Sequence, residues 1–205
     1  METYKVSIGL LGDSNVGKTS LCTRLKYNIF ENYNVCTIGV EFFSKLFNIK
    51  TSQGDMILKW NVYDTAGQEL YQSMITSYYR KCCIFILGFD LTNLKSFQNV
   101  SYWISQINKY NNYYYKIYLF GNKLDKLNEV CVKIDQVKNL IEKHNLDYFE
   151  ISVKKNKGID DMIRHINQDI GENILNDYIK INYHGIVKLK KEISLNKDNS
   201  KNSCC

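Results

Sequence analysis

The amino-acid sequence predicts a doubly wound α/β sheet with one antiparallel edge, on three observations. Strand-like and helix-like segments alternate along the chain. The run CCIFILGFD (82–90) is apolar throughout, as in a strand covered by helices on both faces. Two adjacent strand patterns are joined only by the turn TSQGD (51–55), too short for anything but a hairpin.

The elements read in order. Tyr4–Leu10 alternates apolar and polar residues, and a glycine loop then opens a helix around Gly17–Lys26. Glu41–Ile49 and Met56–Tyr63 are the two strands of the hairpin. After the buried strand, Phe97, Val100, Ile104 and Ile107 recur at helical spacing with Trp103 beside them. The strand Lys116–Phe120, the helix Ile134–His144 and the strand Tyr148–Ile151 follow. A last amphipathic helix carries Ile159, Met162, Ile163, Ile166 and Ile170 on one face. From about Asp177 the periodicity fades into a lysine- and asparagine-rich segment ending Ser-Cys-Cys. The expected organisation is therefore one domain, 1–176, and a flexible tail, 177–205.

Composition narrows the function classes. A chain of 205 residues suffices for one well-buried domain. The net charge of +6 is carried by scattered lysines, the only arginines being Arg24, Arg80 and Arg164. With no basic stripe interleaved with aromatics, no nucleic-acid partner is expected. The seven cysteines follow no disulfide pattern, and no leader precedes the first strand, so a reduced cytosolic protein is expected. The longest apolar run, Cys82–Phe89, falls far short of the ~20 residues that a spanning helix needs.

Three short motifs carry the chemistry. Gly12-Asp13-Ser14-Asn15-Val16-Gly17-Lys18-Thr19 matches the phosphate-binding loop G-x-x-x-x-G-K-[ST] and sits between a strand and a helix. Its glycines let successive N–H groups converge on phosphates, and the helix N-terminus adds partial positive charge. Lys18 would neutralise the β- and γ-phosphates, while the Thr19 hydroxyl would ligate Mg²⁺. Asp64-Thr65-Ala66-Gly67-Gln68-Glu69 follows the third strand, where an open α/β sheet gathers ligand-binding groups. Asp64 can hold Mg²⁺ through water, the Gly67 N–H can meet a γ-phosphate, and Gln68 can orient an attacking water. Asn122-Lys123-Leu124-Asp125 ends the fifth strand. The Asp125 carboxylate can accept from both N1–H and the 2-amino group of guanine. Adenine, with a lone pair at N1 and no 2-amino group, would leave that charge unpaired, which selects GTP over ATP.

In this order and spacing the motifs resemble those of Ras-superfamily GTPases over residues 4–176, and within them the Rab family. The resemblance implies a P-loop NTPase domain of the small G-protein fold: a six-stranded, mostly parallel sheet with one antiparallel edge strand and about five helices. It implies GTP/GDP and Mg²⁺ as ligands, with residues Ser14, Asn15, Val16, Gly17, Lys18, Thr19 and Ser20 around the phosphates. Phe30 matches the aromatic packed on the guanine, and Thr37 the threonine that ligates Mg²⁺ only beside a γ-phosphate. Ser152-Val153-Lys154 matches the loop under the base, with valine departing from the usual alanine.

The Rab resemblance rests on Ile38-Gly39-Val40-Glu41-Phe42, DTAGQE, Ser77-Tyr78-Tyr79-Arg80 and the terminal Cys-Cys. Phe42, Tyr63 and Tyr78 occupy the aromatic positions that Rabs present to effectors. Tyr63 stands where Rabs usually carry tryptophan, and Leu70-Tyr71 where they usually carry Arg-Phe. The tail is not a CaaX box, and residue 2 is not the glycine that myristoylation requires. Geranylgeranylation of Cys204 and Cys205 is implied instead, placing the protein on the cytoplasmic face of intracellular membranes and cycling it with the cytosol on a soluble prenyl-binding carrier.

The implied activity is hydrolysis of GTP, with Lys18 and Gln68 catalytic. Residues 28–40 contain no arginine, so slow turnover accelerated by an activating protein is expected, with an exchange factor to reload the site and effectors to read it. Two rivals are a nucleotide-dependent interaction module with negligible hydrolysis, which Gln68 opposes, and a P-loop ATPase or kinase, which Asp125 opposes.

Overall fold

A computed structural model describes residues 1–31, 40–65, 79–175 and 186–189. Its strands are β1 (Glu2–Leu11), β2 (Val40–Thr51), β3 (Gly54–Thr65), β4 (Ile84–Asp90), β5 (Lys116–Asn122), β6 (Asp147–Glu150) and β7 (Ile186–Leu189). Its α-helices are α1 (Lys18–Tyr27), α2 (Leu94–Gln98), α3 (Val100–Tyr110), α4 (Ile134–His144) and α5 (Ile159–Leu175), with a 3₁₀ turn at Leu127–Glu129.

The strand order β2-β3-β1-β4-β5-β6 is parallel from β3 to β6 and antiparallel at the β2–β3 edge. This is the small G-protein arrangement, with one strand added. The segment after 176, which shows no periodicity in sequence, contributes β7, antiparallel to the first half of β1 (Thr3↔Leu189 to Val6↔Ile186). Space for it exists because β4 pairs only with the second half of β1, from Ile8 to Leu11. The hairpin closes through Thr51↔Gly54. Gly54 adopts φ 121°, a backbone conformation that glycine reaches without strain.

Two apolar layers enclose the sheet. On one face, Ile84 and Ile86 of β4 join Leu21, Leu58, Trp60, Met162 and Ile166. On the other, Phe85, Leu87 and Phe89 join Trp103, Ile104, Ile107 and Val137. The alternation explains why the 82–90 run is wholly apolar: each of its faces meets helices. Complete burial of side chains such as Trp60 and Phe89 contributes roughly 1.5–3 kcal/mol each.

The helical run around 97–107 is two helices. Asn93 caps α2 by accepting from the N–H groups of Lys95 and Ser96, and α3 begins anew after Asn99. Cys22, Cys82, Cys83 and Cys131 carry free thiols. Among the described residues no helix is long and apolar enough to cross a membrane.

Candidate nucleotide and metal site

The ends of β1, β3 and β5 deliver the three motifs to one edge of the sheet, since Leu10 pairs with Asp64 and Asp90 with Asn122. Brought together there, they make a phosphate loop, an acidic residue beside it, and a pair of loops for a base.

The phosphate loop turns because two positions admit only glycine. At Gly12 (φ 132°) a Cβ would lie 2.2 Å from the Gly88 carbonyl oxygen, and at Gly17 (φ 100°) it would lie 2.3 Å from the Asn122 side-chain nitrogen. Asn15 also adopts a left-handed conformation, which asparagine tolerates. Ser14 and Asn15 are exposed, Val16 is buried, and Thr19 and Ser20 are half-buried in the first turn of α1. Lys18 is only 5% exposed, and its ammonium donates to the carbonyls of Gly12 (2.7 Å) and Asp13 (2.8 Å). Burial lowers its pKa to about 8, against the raising effect of the Asp64 and Asp13 carboxylates.

Asp64 is fully buried, and neither of its carboxylate oxygens has a hydrogen-bond partner of good geometry. Burial pushes its pKa up to about 6, although nearby Thr19 and Lys18 pull the other way. An orphaned buried carboxylate beside a threonine hydroxyl and a phosphate cradle is the oxygen-donor set that Mg²⁺ takes together with water and phosphate oxygens. Asp64 and Thr19 therefore fit the metal; Thr37, the third expected ligand, lies outside the described residues. No group of three or more His, Cys, Asp or Glu gathers among the described residues.

The base loops are tied to the phosphate loop by one side chain. The buried Asn122 amide donates to the Val16 carbonyl (2.8 Å), and its oxygen accepts from the Val153 N–H (3.1 Å). Asp125 Oδ1 accepts from the Ser152 hydroxyl, which itself accepts from the Lys155 N–H. That leaves Oδ2 of Asp125 for a ligand. Lys123 adopts φ 69° and pairs with Asp90 at 2.6 Å. Val153 is buried, so its departure from alanine is accommodated in the core, while Lys154 is exposed. Phe30 is half-buried against the α1–α5 core layer. Gly67 and Gln68 lie outside the described residues.

Sequence reasoning overlooked Arg24. From α1 its guanidinium donates to the Val153 carbonyl (3.1 and 3.3 Å), the Lys154 carbonyl (3.3 Å) and the Asn28 carbonyl (2.8 Å). The only available signal was that arginine is scarce here, since its partners in the base loop are 129 and 130 residues away. Asp90 was overlooked for the same reason, as an ordinary strand-end acid.

On the hairpin, Phe42 is 54% exposed and packs against the half-buried Tyr63 with the rings tilted by 45° and their centroids 5.3 Å apart. Leu46, two pleats along the same face, is 61% exposed. Tyr78, the third aromatic, lies outside the described residues, as do Cys204 and Cys205.

A family model described as the Ras family matches residues 7–172. The chain is 38% identical over 154 residues to the Ras-related protein Rab-3 of Caenorhabditis elegans, spanning 75% of this chain and 68% of that one. It is 34% identical over 171 residues to the Ras-related protein RabJ of Dictyostelium discoideum (83% and 65% of the two chains). To the Ras-related protein Rab-13 of Bos taurus it is 34% identical over 161 residues (78% and 77%).

Proposed function

We propose, from the premise that this chain belongs to the Ras family and within it to the Rab proteins, that it is a GTP-hydrolysing switch recruiting effectors to membranes. Its family is one of small GTPases that act in membrane traffic and bind GTP or GDP with Mg²⁺. The observation that carries the finer reading is the Asn122 bridge, which sets the phosphate loop and the base loop in one fixed register. With the two loops so joined, the base and the inner phosphates of one nucleotide can be held together, whether it is GTP or GDP.

The residues then divide the work. Backbone N–H groups from Ser14 to Ser20 hold the phosphates, and Lys18, positioned by the Gly12 and Asp13 carbonyls, meets phosphate oxygens and stabilises the charge that develops there. Asp64, Thr19 and Thr37 would hold Mg²⁺, which would supply charge neutralisation at the phosphates. Gln68 orients the attacking water, and Gly67 offers its N–H to the γ-phosphate. Asp125 and the Ser152–Lys154 loop read guanine, with Phe30 packing on its face. No arginine occurs in 28–40, so a partner protein supplies the missing positive charge and turnover alone is slow. Two loops, about 28–42 and 66–80, change order with the γ-phosphate, and Phe42, Tyr63 and Tyr78 present that state to effectors.

Cys204 and Cys205 carry prenyl groups that anchor the protein, because one lipid chain gives only marginal membrane binding and two give a stable hold. A soluble carrier extracts the GDP form and an exchange factor reloads the site. The decisive experiment is bound-nucleotide chromatography after incubation of GTP-loaded protein with an activating protein. Conversion to GDP by the unmodified chain and retention of GTP by Gln68→Leu are expected; equal retention by both would leave a binding module without turnover. For the anchor, cell fractionation of a protein with serine at both 204 and 205 should find it wholly in the cytosol, and a membrane pellet would refute that part.

A further inference from the structure

A loop built to hold a polyanion here contains an acid. Asp13 is the second residue of the phosphate loop, and its charge next to phosphates is unfavourable unless it is turned away and compensated. Its carboxylate is held from outside the loop at both oxygens. The Trp103 indole N–H donates to Oδ1 at 2.8 Å, and the Asn99 side-chain amide donates to Oδ2 at 2.7 Å. The two donors are one helical turn apart at the start of α3, where the Trp103 N–H also bonds the Asn99 carbonyl. Trp103 is only 7% exposed, so its indole is fixed by packing. The start of α3 also offers partial positive charge to the carboxylate.

The same segment is pinned at its other end. Ser96 of α2 accepts from the Asp90 N–H at 3.0 Å, and the Asp90 carboxylate pairs with Lys123 of the base loop. The Asp13 carbonyl, meanwhile, is one of the two that position Lys18. Holding the Asp13 side chain therefore also holds the backbone on which Lys18 rests.

We propose that Asn99 and Trp103 are positioning residues for the bound nucleotide, acting through Asp13: they clamp its carboxylate away from the phosphates and fix the loop carrying Lys18. The inference rests on the nucleotide-binding reading above. Loss of either donor frees the charge to swing toward the phosphates, so the effect on nucleotide retention requires the carboxylate. A purely structural role for these residues does not.

The test is a double-mutant cycle on the full chain loaded with fluorescent GDP, reading the dissociation rate alongside the melting temperature. Asn99→Ala and Trp103→Phe should each speed release on the order of 10-fold, the size of one hydrogen bond to a charged group. In an Asp13→Ala background the same two changes should alter release by no more than about 2-fold. Equal acceleration with and without the carboxylate, or none in either, overturns the clamp. Should Trp103→Phe fail to fold, the half-buried Asn99 decides the matter by itself. Failure of the unmodified chain to retain GDP would instead overturn the nucleotide reading, whereas retention with unmoved variants overturns only this one.

Discussion

The phosphate loop and the base loop sit side by side yet are specified in different ways. The first is shaped from within: Gly12, Asn15 and Gly17 take positive φ, and all lie within the six-residue stretch 12–17. The second takes a positive φ at Lys123 but is held chiefly across the chain: Asn122 bonds Val153, Ser152 bonds Asp125, and Arg24 reaches in from α1. A loop made by local conformation tolerates change around it but not in it. A loop made by distant side chains can be loosened from afar without a residue of its own being touched.

The largest effect expected is on base choice. Asp125→Asn reverses the donor–acceptor pattern offered to the base, so the preference for GTP over xanthosine triphosphate should shift by on the order of 10⁴-fold in competition titrations. An unchanged ratio would mean that Asp125 Oδ2 does not meet the base. Next is Gly12→Ala, which strains a φ of 132° and drives a methyl into the Gly88 carbonyl. A loss of about 2–4 kcal/mol is expected in denaturant unfolding. Stability within about 0.5 kcal/mol of the parent would show that the loop shape is not locally set.

Arg24→Ala sharpens the comparison from the other side. It removes donors to the Val153 and Lys154 carbonyls, so nucleotide release should quicken by roughly 10-fold, with base preference retained because Asp125 is intact. Release at the parental rate would mean that Ser152 and Asn122 hold the base loop unaided. The smallest effect on the fold is expected at Phe42→Ala. With its ring more than half exposed, stability should fall by no more than about 1 kcal/mol while effector capture is lost. A collapse of the melting temperature would place Phe42 in the core instead.

Much of the fold was legible because its cues are local. The period-2 alternation before Gly12, the two-faced apolar run at 82–90 and the five-residue link at 51–55 each announce one element without reference to any other. The α4 boundaries, Ile134–His144, coincide with the apolar spacing. The division at Asn99 was not legible, since an asparagine that caps one helix and one that sits inside another look alike until the Asp13 carboxylate draws its amide aside. Nor was β7: four residues inside a polar segment become a strand where β4 leaves one edge of the first half of β1 open.

Sequence alone determined the chemistry that the site offers. The identity of Lys18, Asp64, Asn122 and Asp125 and their separation along the chain follow from covalent order, and glycine at 12 and 17 follows from backbone sterics. Tertiary structure decided how those groups are held. Arg24 reaches Val153 across 129 residues, Trp103 reaches Asp13 across 90, and Asn122 spans both loops. The physical reason is that a hydrogen bond depends on distance in space, within about 3 Å, and no periodicity records which distant donor the folded sheet brings to that range.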